Sequence, residues 1–339
     1  MSDLIHAIHQ IVGDKGLITD ERVAQRPNES WGKGSCPALA LVRPATTDEV
    51  SKVLALCNNA GQRVIPQAGL TGLADATNAT DQDIIISLDR MRAIEHIDAK
   101  GSTALVEAGV VIQDLQNAAE EHDLLFAVDW GARGSAQVAG MLAANAGGNK
   151  VIRYGMARDQ VLGLEVVLAD GTVLTNLKET LKDNTGYDLK QLFVGSEGTL
   201  GIITRAVLRL WPAAPARQTA LVAVDSFENA LTLLNALKQR LEGKLSAFEA
   251  MWHSFYDFMV NQTQNHQTFV DDSMPYYILV ESECVDENRG KEQFIEVLGD
   301  LLEAGVIADA VIAETNQQAT DLWAMRDDIE SMVNAFSPL

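Results

Sequence analysis

Three glycine-rich segments, each at the end of an apolar run, constrain the fold of this chain more than any other feature of its sequence. They cover residues 66–73, 131–148 and 195–204. Glycine permits positive φ angles and leaves no Cβ between the backbone and a ligand, so consecutive backbone N–H groups can face phosphate oxygens. One such segment alone is most simply a turn or, for the second, a tightly packed helix. Three of them in one region favour a common site for an anionic ligand, and the helix N-terminus predicted in the second segment would add partial positive charge.

The motifs that the chain lacks restrict the nature of that ligand. No GxGxxG follows a predicted strand and GxxxxGK[ST] is absent, so the sequence predicts neither a Rossmann-type dinucleotide site nor a P-loop. HExxH and GxSxG are also missing, which argues against two common hydrolase sites. The six histidines are scattered, and we interpret His6 and His9 as solvated surface residues rather than metal ligands.

The charge of the chain excludes one class of partner. Lys and Arg total 26 against 47 Asp and Glu, a formal net charge of -21. Such a field repels phosphodiesters, so we exclude nucleic acid as the main partner, and an anionic ligand needs local cations or backbone amides. Three widely spaced cysteines predict a reducing compartment without disulfides. Since we find neither a signal-peptide pattern nor a long apolar run, we expect a soluble, cytoplasmic protein with no transmembrane segment, possible attachment to a membrane arising only through a partner.

The first half of the chain reads as a β-α-β unit followed by further strands. A short helix is predicted over residues 3–12, and a polar connection follows to about residue 36. Thr46 and Glu49 form a capping-box pattern for a helix that ends at Gly61. Asp170-Gly171 is a hairpin signal between two apolar runs. Strands or helices are predicted over residues 40–43, 63–65, 84–86, 104–107, 112–122, 162–168, 172–174 and 202–210.

The pattern changes at Pro212 and Pro215, which mark the strongest domain boundary. Beyond it, strands and helices alternate, which suggests one antiparallel sheet with helices packed on one face, of the ferredoxin-like kind. The strands are predicted over 219–224, 245–250, 276–283 and 308–312, and the helices over 228–239, 253–260, 288–303 and 320–333. The chain therefore divides into residues 1–36, 37–215 and 216–339.

Several of these segments resemble the FAD-linked oxidase family, whose FAD-binding domain is of the vanillyl-alcohol-oxidase or PCMH type. The resemblance is closest to the D-2-hydroxyacid dehydrogenase branch, which contains D-lactate dehydrogenase, the glycolate oxidase catalytic subunit and D-2-hydroxyglutarate dehydrogenase. It implies an α+β fold, with a two-lobed FAD-binding domain at 37–215 and a ferredoxin-like substrate or cap domain at 216–339. The matching segments are residues 66–73, 134–148, 153–159, 162–171, 182–193 and 195–204.

The resemblance also implies how the cofactor is bound. The first loop and the Asn-Ala-Gly-Gly segment would hold the FAD pyrophosphate and ribityl through backbone amides, and the Glu-Gly-Thr-Leu-Gly-Ile segment would lie beside the adenine half. No histidine stands in the first loop, so we expect noncovalent FAD. The expected cofactor-binding residues are Pro66, Gln67, Ala68, Gly69, Leu70, Thr71, Gly72, Leu73, Asp129, Gly134, Ser135, Val138, Gly140, Asn145, Gly147, Gly148, Glu197, Gly198, Gly201 and Ile202.

Two departures from the family stand in the first loop. Ala68 replaces a usual glycine and Leu70 replaces a frequent asparagine, and we expect the Cβ of Ala68 to crowd the pyrophosphate. A third departure concerns length. Family members continue with a Gly-His-x-Gly-Asp-Gly-Asn-x-His stretch and a Glu-His pair, the expected metal ligands and general base, and neither occurs in these 339 residues. A divalent metal is expected only with such a segment, the cap is expected to be incomplete, and no catalytic residue is assigned.

Arg326 is the candidate substrate residue, since Trp323 and Arg326 resemble the family's Trp-x-x-Arg helix, whose arginine binds the substrate carboxylate. The plainer alternative is a surface pair with Glu330. The resemblance implies that the chain oxidises a D-2-hydroxy acid of the D-lactate, glycolate or D-2-hydroxyglutarate class to the 2-oxo acid, by hydride transfer to flavin N5. It also implies that electrons pass to a quinone, a cytochrome or an electron-transfer flavoprotein, and we expect a homo- or hetero-oligomer. The main alternative is a flavin-binding subunit of a hetero-oligomer without turnover of its own. An NAD(P)H-dependent reductase of the same fold is disfavoured because those enzymes have a different C-terminal domain.

Overall fold

The computed structural model describes residues 2–28 and 34–336. The chain divides into two compact units. One comprises Met1–Gly148 and Gly155–Ala213, and the other comprises Asn149–Tyr154 and Ala214–Leu339. The units meet between Ala213 and Ala214, close to the boundary that the sequence suggests near Pro212 and Pro215. No feature of the sequence indicates that residues 149–154 belong to the second unit.

The first unit begins with a four-stranded sheet of β1 (Leu17–Ile18), β2 (Ala40–Val42), β3 (Val64–Gln67) and β4 (Ile84–Ser87), in the order β1-β2-β4-β3. Strands β2 and β3 both run parallel to β4. Helices α1 (Ser2–Gly16) and α2 (Thr47–Asn59) pack on this sheet around Ile8, Val50 and Val53. The side chain of Thr46 caps α2 as predicted, by accepting a hydrogen bond from the N–H of Glu49. The carboxylate of Glu49, however, accepts from the N–H of Ala45 rather than from that of Thr46, so the capping box is only half formed.

A five-stranded antiparallel sheet completes the first unit. It consists of β5 (Ile94–Asp98), β6 (Thr103–Glu107), β8 (Val161–Val167), β9 (Val173–Asn176) and β10 (Ile202–Arg209), in the order β5-β6-β10-β8-β9. The predicted hairpin is present between β8 and β9, where Gly171 has a φ of 87°. A separate pair joins β7 (Leu124–Leu125) to β11 (Trp211–Pro212). The helices of this part are α3 (Ile112–Glu120), α4 (Val138–Ala143) and α6 (Lys190–Phe193).

The second unit has the predicted ferredoxin-like sheet. Its antiparallel strands β12 (Ala216–Val224), β13 (Leu245–Trp252), β14 (Tyr276–Cys284) and β15 (Asp309–Ile312) lie in the order β13-β14-β12-β15. Helix α5 (Val151–Tyr154) contacts β13. The remaining helices are α7 (Phe227–Arg240), α8 (His253–Asp257), α9 (Glu287–Glu303), α10 (Asn316–Asp327) and α11 (Ile329–Phe336).

Two expectations about this unit were wrong. Helices cover both faces of the sheet, because the central strands are apolar on both sides: Ala220 and Val222 belong to the core that includes α7 and α9, and Leu221 and Ala223 to the core that includes α8 and α10. The single helix predicted over 320–333 is two helices, since the ψ of 64° at Asp328 ends α10. The helix predicted over 253–260 continues beyond α8 as a π-helical turn, Phe258–Gln262.

No helix among residues 2–28 and 34–336 is long and apolar enough to span a membrane.

Candidate functional site

The first and second glycine-rich segments touch one another. A Cβ built on Gly69 would lie 2.1 Å from the carbonyl oxygen of Ser135 and 2.9 Å from the Cα of Ala136. Such distances do not occur between real atoms, so glycine is required at 69 for this close approach. The first loop and the residues leading into α4 therefore form one continuous backbone surface.

The third segment joins the same place. The N–H of Gly195 donates to the carbonyl of Leu142 at 3.0 Å, and the N–H of Glu197 donates to that of Ala143 at 2.9 Å. Gly198 has a φ of 78°, and a Cβ there would lie 2.4 Å from the Cγ of Pro66. All three segments predicted from the sequence thus converge.

Three residues of these segments adopt the left-handed conformation without being glycine. The φ angles are 55° for Leu70, 48° for Asn145 and 51° for Glu197. Each such residue costs on the order of 1 kcal/mol or more and persists only where its surroundings hold it, and such residues cluster at binding sites. Leu70, which departs from the family's frequent asparagine, has the conformation that asparagine tolerates well.

The second segment differs from its prediction. Instead of a long helix of small residues, it forms a short 3-10 turn (Gly131–Gly134) and then α4, which has only six residues. A helix this short has a weak dipole, so the predicted positive end contributes little to anion binding. A Cβ on Gly148 would lie 2.2 Å from the carbonyl oxygen of Asp129, whose carboxylate binds Arg133 at 2.6 Å.

The Cβ of Ala68 faces α4: a Cβ built on Gly140 would lie 3.0 Å from it. Two other expected residues, Val138 and Ile202, bury their side chains in two separate cores of this unit, so only their backbone can face a ligand. Gly147 is exposed, and Gly201 approaches β8, where a Cβ would lie 2.7 Å from the Cγ1 of Val166. Leu73 has 67% of its surface exposed, and Thr71 is half-buried.

Two observations test whether these residues fit a cofactor. Gly72 and Gly134 lack positive φ angles, and no heavy atom of the described chain, apart from the adjoining residues, lies within 4 Å of a Cβ built on either. The fold itself does not require glycine there, whereas a ligand lying against the backbone would. In addition, Oε1 of Gln137, a residue only 5% exposed, has no hydrogen-bond partner in the described part of the chain. Buried polar atoms are rarely left unpaired, so the second observation fits a bound polar group.

Arg326 has a different partner from the one the sequence suggested. Its Nε and Nη2 both contact Oε2 of Glu249 on β13, at 2.9 and 2.8 Å, and its Nη1 donates to Asp327 at 3.3 Å. Glu330 is not its ion-pair partner. Trp323, one turn earlier, donates its indole N–H to the buried Glu281 of β14 at 2.9 Å. The two side chains of the Trp-x-x-Arg pattern thus hold α10 to adjacent strands.

A buried charged cluster includes residues of segment 149–154, which belongs to the second unit although the residues before and after it belong to the first. Glu283 is only 2% exposed, and its Oε1 accepts a hydrogen bond from Lys150. Its Oε2 accepts one from the hydroxyl of Tyr154 at 2.7 Å and lies 3.4 Å from Nη1 of Arg153. Burial alone would raise the pKa of Glu283, but attraction to Lys150 and the hydrogen bonds from Lys150 and Tyr154 lower it below its ordinary value. Burial and the bond to Glu283 raise the pKa of Tyr154.

The sequence missed two residues that organise these sites. Arg158 donates its backbone N–H to the amide oxygen of Asn145 at 3.0 Å and its Nη2 to the carbonyl of Val194 at 2.9 Å. It lies in a segment that resembles the family, which is the only signal that could have found it. Glu249 has no sequence signal at all. No group of three or more potential ligands for a metal ion occurs within the described ranges.

Comparisons with known proteins agree with this geometry. Residues 38–176 match the family described as "FAD binding domain", and residues 213–337 match "FAD linked oxidases, C-terminal domain". Among solved structures, the fold is similar to an alkyldihydroxyacetonephosphate synthase, with a TM-score of 0.76 at 17% identity over 99% of this chain and 64% of the other. It is also similar to p-cresol methylhydroxylase, with a TM-score of 0.70 at 17% identity over 96% and 68%.

Relatives by sequence are named as dehydrogenases. The chain is 37% identical over 330 residues to a probable mitochondrial D-2-hydroxyglutarate dehydrogenase of Oryza sativa subsp. japonica, covering 97% of this chain but 59% of the relative. It is 34% identical over 337 residues to the D-2-hydroxyglutarate dehydrogenase of Stutzerimonas stutzeri, covering 99% of this chain and 72% of the relative. The chain therefore spans about three fifths of the rice relative's length. With an FAD-binding domain whose glycine segments converge and an oxidase-type C-terminal domain, this chain belongs to the FAD-linked oxidase family, in its D-2-hydroxyacid dehydrogenase branch.

Proposed function

We propose that this protein oxidises a D-2-hydroxy acid of the D-2-hydroxyglutarate, D-lactate or glycolate class to the 2-oxo acid, with noncovalently bound FAD. The observation that carries the proposal is the similarity to D-2-hydroxyglutarate dehydrogenase over 99% of the chain, together with the convergence of the three glycine-rich segments. When bound, FAD supplies a hydride acceptor at its flavin N5.

The backbone of the first unit would hold the cofactor. The contact between Gly69 and Ser135 brings two sets of amides side by side, and Gly72 and Gly134 leave room for a ligand to lie against the chain. Neutral N–H groups can bind a diphosphate without adding a fixed charge. The complete proposed set is that predicted from the sequence: Pro66, Gln67, Ala68, Gly69, Leu70, Thr71, Gly72, Leu73, Asp129, Gly134, Ser135, Val138, Gly140, Asn145, Gly147, Gly148, Glu197, Gly198, Gly201 and Ile202.

Arg326 would bind the substrate carboxylate. Its guanidinium has five N–H donors, and three of its contacts go to Glu249 and Asp327. The remaining donors are on Nη1 and Nη2, the pair that presents two parallel N–H groups to a carboxylate. Glu249 holds the guanidinium in a fixed orientation, so less side-chain entropy is lost when the acid binds.

The remaining properties are proposed as they were predicted from the sequence: a cytoplasmic protein that acts as a homo- or hetero-oligomer and passes its electrons to a separate acceptor. A quinone, a cytochrome or an electron-transfer flavoprotein would reoxidise the enzyme. A divalent metal would take part only together with a further segment that carries its ligands.

Anaerobic reduction of the bound flavin tests the proposed reaction. The purified chain is loaded with FAD, and D-2-hydroxyglutarate, D-lactate and glycolate are added in turn while the visible absorbance of oxidised flavin is followed. We expect at least one of these acids to bleach the flavin. For the two chiral acids, the L enantiomer should not bleach it. Bound flavin that none of these acids bleaches would instead support a flavin-binding subunit without turnover.

Replacing Arg326 tests the substrate site. Arg326→Ala should raise KM by about one to two orders of magnitude, the effect of losing charged hydrogen bonds to a carboxylate. Arg240→Ala is the matched control, because Arg240 is also half-buried in the second unit and pairs with Asp300 at 2.7 Å. An equal KM in the wild type and Arg326→Ala would leave Arg326 only its contact with Glu249.

A further inference from the structure

Arg26 lies at the carboxyl end of the parallel strands of the first sheet. Its Nε donates to Oε1 of Gln67, and its Nη2 donates to Oγ of Ser87 at 3.3 Å. Gln67 and Ser87 are the last residues of β3 and β4 and are paired across the sheet. In open sheets with parallel strands, ligands bind outside the carboxyl ends of the strands. Arg26 is therefore placed where the first glycine-rich loop leaves the sheet.

The guanidinium of Arg26 has neutral partners. Gln67 and Ser87 are 3% and 0% exposed, so their contacts with Arg26 are made away from water. No carboxylate in the described part of the chain forms an ion pair with Arg26. Asp89, the acidic residue that attracts it most, is bound instead by Arg43 at 2.9 Å. Burial lowers the pKa of Arg26, which reflects the cost of an uncompensated cation.

Gln67 connects this cation to the loop itself. Its Nε2 donates to the carbonyl of Thr77 at 2.9 Å while its Oε1 accepts from Arg26. The two ends of residues 67–77 are thereby joined through one side chain that also carries the guanidinium. In a chain of net charge -21, a cation beside the first glycine-rich loop is the local compensation that an anionic ligand requires.

We propose that Arg26 is a cofactor-binding residue that supplies the positive charge for the diphosphate of FAD, with Gln67 and Ser87 as the residues that position its guanidinium. This inference rests on the FAD-binding role of the first loop and not on the identity of the acid that is oxidised. Its ligand class is a dinucleotide diphosphate, so it predicts discrimination between flavins that differ only in their phosphate groups.

The test compares the binding of FAD and riboflavin to the apoprotein by quenching of flavin fluorescence. Arg26→Met, which is similar in length and uncharged, should weaken FAD binding by about tenfold or more, as expected for loss of a charge-assisted hydrogen bond. Riboflavin, which has no phosphate, should bind Arg26→Met and wild type within about twofold of each other. Arg26→Lys keeps the charge and should retain most of the FAD preference.

Arg22→Gln is the matched control, because Arg22 lies in the same segment but is exposed and paired with Asp20 at 2.8 Å. It should bind FAD like the wild type. Circular dichroism of each apoprotein checks folding, and Arg26→Gln, which is uncharged but polar, takes the place of Arg26→Met if the latter does not fold. Equal FAD affinity in wild type and the uncharged variant, or equal losses for FAD and riboflavin, would overturn the proposal. This test measures flavin binding and not oxidation of the acid, so a failure of the proposed reaction would not change its outcome.

Discussion

Neutralising Glu283 should destabilise the second unit more than any surface substitution. The side chain of Glu283 is 3% exposed and that of Lys150 is 9% exposed. Glu283→Gln keeps the shape of the side chain and an oxygen that Tyr154 can bond, but leaves the ammonium of Lys150 buried without its counter-charge. Removing one partner of a buried ion pair typically costs about 3–5 kcal/mol, because the remaining charge is not compensated.

Urea unfolding followed by far-ultraviolet circular dichroism measures this loss. With a slope of about 2 kcal/mol per molar urea, the midpoint should fall by roughly 1.5–2.5 M. Asp300→Asn is the control, because Asp300 pairs with Arg240 at 2.7 Å but its side chain is 57% exposed. An exposed pair contributes about 1 kcal/mol or less, so this variant should unfold close to the wild type. A double variant, Lys150→Met with Glu283→Gln, should regain much of the loss because the buried ammonium without a counter-charge is removed.

The same pair predicts a dependence on pH. The pKa of Glu283 is lower in the folded chain than its ordinary value of 4.5, so the folded state binds the proton less readily than the unfolded state. The stabilisation is present above that ordinary value and is lost as pH falls towards the folded pKa. Glu283→Gln should therefore show a flatter stability profile below about pH 4.5. A loss of less than about 1 kcal/mol at neutral pH would refute the reasoning, since it would mean that water reaches Lys150.

Three further substitutions test the glycine site and the C-terminal helices. Gly69→Ala should abolish FAD binding in flavin titrations, because its Cβ would overlap a backbone carbonyl at 2.1 Å. Gly140→Ala should destabilise the apoprotein, because the new Cβ lies 3.0 Å from the Cβ of Ala68. In an Ala68→Gly background the same substitution should stabilise it by up to about 1 kcal/mol, because only the higher helix propensity of alanine remains. Additive effects of the two substitutions in thermal unfolding would contradict this contact. Burial alone would raise the pKa of Asp328, but hydrogen bonds from Ser331 and His266 lower that pKa to about 2. Asp328→Asn should therefore lower stability at neutral pH and match the wild type near pH 2. Equal stability profiles of the two proteins in acid unfolding would argue against these hydrogen bonds.

The parts of the fold that could be predicted are those with local causes. The cap at Thr46 and the turn at Gly171 depend on neighbours within a few residues, and both are present. The glycine-rich segments were recognisable because the close approach at Gly69 can be made by no other residue type. The ferredoxin-like order followed from the alternation of elements, which permits few topologies.

The parts that could not be predicted depend on contacts between distant residues. Arg326 binds Glu249, which lies 77 positions away, rather than Glu330 four positions on. Lys150 belongs to the second unit because Glu283, 133 positions away, binds it there. The two-faced packing of the C-terminal sheet was misjudged because the alternation of strands and helices does not show on which face each helix packs, although the continuous apolar run at residues 220–224 indicates a strand buried on both faces.

The net charge of -21 leads to a last expectation about how FAD enters. Arg326, Lys150 and Arg133 are each paired with a carboxylate, so they reduce the long-range negative field very little. FAD is itself an anion, and it approaches against this field until short-range amides and Arg26 can act. Salt screens the long-range repulsion over a Debye length of about 10 Å at 0.1 M but affects buried contacts much less. The association rate of FAD with the apoprotein should therefore rise between about 0.01 M and about 0.15 M salt while its dissociation rate changes little. Stopped-flow fluorescence measures both rates, and an association rate that falls with salt would mean that local cations, not the net charge, govern the approach.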